Sequence, residues 1–185
     1  MTIEGGEGKA EQIVKLTLPV DNSRDHIQGP PTAPVTLLEY GDYQCPYCGQ
    51  AYPIIKQVQK HLADKLRFVF RNFPITQIHP HAQHAAEAAE SAAAQNRFWE
   101  MHDHLYEHQQ ALDDNQLEKY ASKLGLDLAR FNHDMSSDAH SQRIPEASFY
   151  IILHGFITPL PVIFPSLSLD SASVACSSLN LSEVK

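Results

Sequence analysis

Apolar and polar positions along this chain change their period twice. Residues 13–18 (IVKLTL) alternate, which predicts a short edge strand closed by Pro19. Residues 35–40 (VTLLEY) are β-rich and mostly apolar and predict a buried strand. The loop between them (DNSRDHIQGPPTAP) carries Pro30, Pro31 and Pro34, which forbid regular structure there. Gly41 and Asp42 then turn the chain. Beyond them Ala51, Ile54, Ile55, Val58 and Leu62 recur at i, i+3, i+4, i+7 and i+11, a single helical face. Pro53 falls inside that helix, where a missing N–H predicts a kink. Residues 66–74 (LRFVFRNFP) read as the next strand. Strand, helix and strand joined by short connections make a βαβ unit with parallel strands and a right-handed crossover.

From residue 80 to about 138 the period is helical. HAQHAAEAAESAAAQ is alanine-rich and strongly helix-favouring. Phe98, Met101 and Leu105 form a stripe, flanked by Trp99 and Tyr106, that reads as core of a helical block and could border a peptide groove. Asp114 is placed to cap the next helix, whose Leu117, Tyr120, Ala121 and Leu124 share a face before Gly125 ends it. Asp127 caps one more.

Composition changes this picture at both ends. The first 12 residues are polar and glycine-rich and read as a flexible tail without a secretory signal, so the chain is expected in the cytoplasm. Thirteen of the 14 Lys and Arg lie in the first 143 residues, and none falls between 144 and 184. That segment is rich in serine and broken by Pro145, Pro159, Pro161 and Pro165. Its apolar run (SFYIILHGFITPLPVIF) is too short and too interrupted for a membrane span, which needs about 20 clean apolar residues. A net charge of −8 without a basic block argues against nucleic acid or an anionic membrane as partner.

The chemistry is concentrated in Cys45-Pro46-Tyr47-Cys48. Two thiols at i and i+3 lie one helical turn apart, within reach of a disulfide. Cys45 opens the helix, where unpaired N–H groups and the helix dipole favour an anion and lower a thiol pKa to roughly 3.5–7.5. Pro46 suits the first helical position. Cys48, one turn in, is expected to stay protonated and to resolve a mixed disulfide. The competing readings are two small buried thiols, or half of a zinc site. Zinc requires four ligands, and Cys176 with one of the histidines would have to complete the set.

In this setting LLEYGDYQCPYCGQAYPIIKQVQ resembles the thioredoxin superfamily, and within it the DsbA-like thiol–disulfide oxidoreductases. CxxC follows a strand and opens a helix, Pro53 lies eight residues after Cys45, and Glu39 lies six before it. RFVFRNFPITQIHPHAQHAAEAAESAA and the helices after it resemble the family's helical insertion. The resemblance implies a thioredoxin-like α/β fold with an inserted helical domain. Its parts are a tail at 1–12, a βαβ half at 13–78, the insertion at 79–143 and an atypical segment at 144–185. It implies Cys45 as nucleophile, Cys48 as resolving thiol, Glu39 as proton relay and Pro159, in the sole Thr-Pro step, as the cis-proline. The family's hairpin and last helix would have to tolerate Pro161 and Pro165. The segment from about 145 therefore reads as a frame shift or a divergent replacement.

The expected function is exchange of disulfides with protein or peptide thiols, without a cofactor or metal, aided by a redox-recycling partner. In the cytosol the dithiol would act as reductase or isomerase. The alternatives are a catalytically impaired binding module and a glutaredoxin-type, glutathione-dependent reductase, which also uses CPYC. For Glu39 the competing reading is a solvent-exposed strand-end carboxylate. His79, His81 and His84 cluster at a helix start and His104 and His108 stand at i, i+4. With no HExxH and no partner carboxylate in view, they read as solvated or capping residues. His102 is too remote to be given a role, and Cys176 reads as an incidental thiol.

Overall fold

The computed structural model describes residues 19–144. The strand expected at 13–18, Pro159, Cys176 and the atypical segment from 145 onward lie outside the described residues.

The centre of the domain is β3 (Leu66–Asn72), with β1 (His26–Gln28) antiparallel on one side and β2 (Val35–Gly41) parallel on the other. The parallel register runs from Val35 opposite Leu66 to Gly41 opposite Asn72. Leu66, Phe68, Val69 and Phe70 are all buried. A strand covered on both faces needs apolar side chains pointing both ways, so its sequence is a near-continuous apolar run.

Two expectations about strands are corrected. Residues 26–28 are not loop but β1, held by pairing His26, Ile27 and Gln28 with Phe70, Val69 and Phe68. So short a strand has no hydrophobic period of its own; its partner creates it. The prolines lie beyond it, after a turn at Gly29 with φ +89°. Nor is β2 a buried strand: Val35 and Tyr40 are 44% and 48% exposed, and Leu37, Leu38 and Glu39 are part-buried. Among the described residues β2 is the outer strand of the sheet, with one edge unpaired.

α1 (Pro46–Leu62) runs through Pro53 as one helix and is joined to β3 by a 3-10 turn, Ala63–Lys65. Its apolar face is narrower than its spacing predicts. Ile55 is buried, Ala51, Val58 and Leu62 rest against the core, and Ile54 is exposed.

The helical block comprises α2 (Ala82–Ala93), α3 (Phe98–Glu107), α4 (Asp114–Lys123) and α5 (Leu128–Ser136). Ala85, Ala88, Ala89 and Ala92 of α2 are fully buried. Small side chains let neighbouring elements approach closely, and Phe98, Met101 and Leu105 of α3 fill the core as expected. The block is tied to the sheet by buried Glu90. One carboxylate oxygen accepts from His26 Nε2 and Asn72 Nδ2, each at 2.7 Å, and the other accepts from Arg143 Nε at 2.9 Å. Among the described residues no helix is long and apolar enough to cross a membrane.

Gly125, with φ +71°, ends the stretch after α4, and Asp127 caps α5 by accepting from the Arg130 amide at 3.1 Å. The α4 cap is Asp113 rather than Asp114. Asp113 has extended backbone and accepts from Gln116 N at 3.3 Å, whereas Asp114 already lies in the helix and pairs with His84. Two adjacent aspartates make the register ambiguous until the backbone decides it. Asp113→Ala is expected to lower unfolding stability by about 1 kcal/mol. Asp114→Ala, which removes an exposed ion pair, should cost less than about 0.5 kcal/mol. Urea unfolding of both variants checks this.

Candidate active site

The site begins where β2 gives way to α1. Asp42 is buried, and its carboxylate holds the turn from both sides. Oδ1 accepts from the amides of Gln44 and Cys45 at 2.8 and 3.2 Å. Oδ2 accepts from the Ile75 amide at 2.8 Å and meets His79 Nδ1 at 2.7 Å. One side chain thus fastens the approach to Cys45 to the loop after β3. Gly41 precedes it because a Cβ there would collide with the Phe70 ring and the Tyr106 hydroxyl.

Cys45 is the N-cap of α1, with extended backbone at φ −70° and ψ 121°, and Pro46 follows at the first helical position. Its carbonyl accepts from the Gly49 amide at 3.1 Å. Gln109, just beyond α3, donates from Nε2 to the carbonyls of Tyr43 and Cys45 at 2.8 and 2.9 Å. Gly49 leaves the space that the Gln109 amide occupies.

The two thiols are free, part-buried and electrostatically opposite. Cys45 is lowered to about 6: the Cys48 thiol offers its hydrogen to the sulfur, and the amides of Cys48 and Tyr47 add to it. This outweighs burial and the nearby Asp42 charge. Hydrogen bonding to the thiolate at a helix start is thus the cause of the lowering. Cys48 is pushed up, first by the bond it gives Cys45 and then by burial and the Cys45 and Glu39 charges. Glu39 is part-buried on β2, and desolvation raises its carboxyl to about 7. Its charge adds the smallest of the contributions that raise Cys48.

Beneath the dithiol lies an aromatic floor of Tyr43, Tyr52, Phe70 and Tyr106. Tyr43 packs on Tyr106 at 4.9 Å between centroids, and Tyr52 stacks on Tyr106 at 5.3 Å. His102 sits in the same cluster, 2% exposed, with Nδ1 3.2 Å from the Tyr43 hydroxyl. Burial drives its pKa down to about 3, so it stays neutral. A residue too remote in sequence to interpret is therefore packed under the site.

The statement that the histidines lack partner carboxylates is corrected. His79 pairs with Asp42, His84 meets Asp114 at 2.7 Å, and His104 and His108 lie beside Glu107. Asp42, Gln109 and His79 were not recognised as site residues. An aspartate two residues before an amide it accepts from is a local turn signal that was legible. Gln109 and His79 arrive through tertiary packing and leave no such mark.

Residues 21–150 match the thioredoxin family. The chain belongs to that family. Its fold is DsbA-like. Among solved structures it is similar to a thioredoxin-like oxidoreductase from Silicibacter pomeroyi, with TM-score 0.63 and 25% identity over 72% of this chain and 76% of that one. It is also similar to alpha-DsbA1 from Wolbachia pipientis, with TM-score 0.59, 19% identity and 77% and 74% of the two chains covered. BdbD from Bacillus subtilis gives TM-score 0.59, 23% identity and coverages of 70% and 75%. In sequence the chain is 48% identical over 141 residues to the Na(+)/H(+) antiporter NhaA 3 of Salinispora tropica, covering 75% of this chain and 21% of that protein. The antiporter NhaA of Herminiimonas arsenicoxydans is 42% identical over 139 residues, covering 75% and 22%. The chain thus spans about a fifth of the length of the curated relatives it matches.

A sulfur whose thiolate is stabilised in the fold alkylates well below the ordinary thiol range. In the reduced protein Cys45 is expected to react with iodoacetamide along a profile with its midpoint near pH 6, while Cys48 stays unreactive at neutral pH. Rates across pH 4–10, with mass mapping of the labelled cysteine, check both parts; a midpoint near 9 would contradict them.

Proposed function

We propose that this chain is a thiol–disulfide oxidoreductase acting on protein or peptide thiols through Cys45 and Cys48. The observation that carries the proposal is the opposed pair of thiols at one helix start, Cys45 lowered to about 6 and Cys48 raised.

In the reducing direction the Cys45 thiolate attacks one sulfur of a substrate disulfide. The substrate S–S bond breaks, a mixed disulfide forms on Cys45, and the departing sulfur leaves as thiolate and takes a proton. Cys48 then loses its proton, attacks the Cys45 sulfur and releases the second substrate thiol. The substrate gains two electrons and the dithiol becomes a disulfide, which a reducing thiol partner returns to the starting state. Glu39, with a pKa raised to about 7, is the base proposed to take the Cys48 proton. No cofactor enters the exchange. Pro159, outside the described residues, is retained as the proposed cis-proline on the family resemblance alone.

Stabilising the Cys45 thiolate stabilises the reduced dithiol and so makes the pair more oxidising. In the cytosolic setting proposed from the sequence, the thiol pool nonetheless keeps it reduced and favours reductase or isomerase work. A second reading has a specific motive: relatives 48% identical over 141 residues are named as Na(+)/H(+) antiporters. On that reading the dithiol serves such a transporter.

Reduction of insulin by dithiothreitol should be accelerated by the protein and not by Cys45→Ser. Equal rates would favour an inert binding module, and turnover only with glutathione would favour a glutaredoxin-type enzyme. Cys48→Ser should accumulate mixed disulfides on Cys45, whose partners mass spectrometry identifies, an antiporter among them supporting the second reading. Glu39→Gln should slow mixed-disulfide resolution about 100-fold near neutral pH while leaving the alkylation rate of Cys45 within about threefold. Stopped-flow measurement separates the two steps.

A further inference from the structure

The end of α3 carries His104 and Glu107, His108 follows as its C-cap, and one donor atom of each lies within 4.8 Å of the other two. The i, i+3 spacing puts His104 and Glu107 on one helical face, and the turn that closes the helix, with the His108 amide on the Leu105 carbonyl, brings the His108 ring to 5.2 Å from that of His104. The His108 ring is oriented for a lone pair. Its Nδ1 lies 2.8 Å from the His104 carbonyl oxygen, which only accepts, so Nδ1 carries the proton and Nε2 is left as donor to a metal. His104 Nδ1 is buried with no hydrogen-bond partner among the described residues, a polar atom the fold leaves unsatisfied. Both rings rest on Tyr120 of α4, His104 nearly parallel at 5.5 Å and 10°, His108 at 5.4 Å. The negative end of the helix dipole favours a cation there.

We propose that His104, Glu107 and His108 form a binding site for a single divalent transition metal of the zinc type. Two imidazoles and a carboxylate suit zinc, copper(II) or nickel(II), not calcium or magnesium, which prefer all-oxygen shells. Metal–ligand bonds of about 2.0–2.2 Å require the three donors to draw to about 3.4 Å apart. Asp103 and Glu107 add negative charge near His104, whereas Lys123 of α4 opposes the cation. The remaining coordination positions belong to water or an external ligand. The site is separate from the dithiol but adjoins its supports. Glu107 accepts from the Tyr52 hydroxyl of α1 at 3.4 Å, and Gln109, two residues on, holds the Cys45 carbonyl.

The test removes the competing thiolates first. The full chain with Cys45, Cys48 and Cys176 each replaced by serine is titrated with Zn²⁺ by calorimetry and with Co²⁺ by visible absorption. One equivalent is expected to bind with a Kd below about 10 μM, or roughly −7 kcal/mol. His104→Asn and His108→Gln should each weaken binding at least about tenfold, Glu107→Gln less, and Lys123→Gln should tighten it. Zn²⁺ should raise the melting midpoint of the parent and not of the two histidine variants. His104 packs on Tyr120, so if His104→Asn melts lower without metal, His108→Gln and Glu107→Gln decide the matter. No binding below about 100 μM, or binding unchanged in these variants, overturns the proposal.

Discussion

The structure around the dithiol depends on one buried carboxylate. Asp42 accepts hydrogen bonds from the backbone on both sides of the sheet edge and meets His79, and the helix start bearing Cys45 follows from that anchorage. A buried carboxylate is tolerated because its lone pairs are filled by amides and an imidazole. The arrangement has an electrostatic cost, since the Asp42 charge opposes a thiolate at Cys45. The Cys48 thiol and the amides at the helix start outweigh it. Asp42 therefore acts by position rather than by charge.

The two halves of the domain are welded by polar groups as well as by the apolar core. Glu90 on the helical insertion reaches both His26 and Asn72 of the sheet. Gln109 reaches back from the insertion to the carbonyls beside Cys45. The helical block is thus the wall that fixes the active turn. Its Tyr106 and neutral His102 pack with Tyr43 of that turn, and Cys48 rests against the same core.

The chain belongs to the thioredoxin family, and its likeness to antiporter sequences extends over about a fifth of their length. The charge pattern in this chain divides near the end of that family match: the match ends at 150, and no Lys or Arg occurs between 144 and 184. Among the described residues the edge of β2 away from β3 is unpaired, and Val35 and Tyr40 are exposed.

The sequence by itself determined the βαβ unit, the helical block, the CxxC at a helix start and the glutamate six residues before it. Each is a local pattern: an apolar run, a period of 3.6, a proline fit only for a first helical turn. Asp127 and Gly125 were legible for the same reason, because caps and stops act within a few residues. Tertiary structure decided the rest. β1 exists only because β3 pairs with it, β2 is exposed because no described strand lies beyond it, and Asp113 rather than Asp114 caps α4 because the backbone chose the register. His79, His102 and Gln109 reach the site across 37 to 66 residues of chain. Sequence spacing records no signal for such meetings, since they are fixed by which faces the core buries.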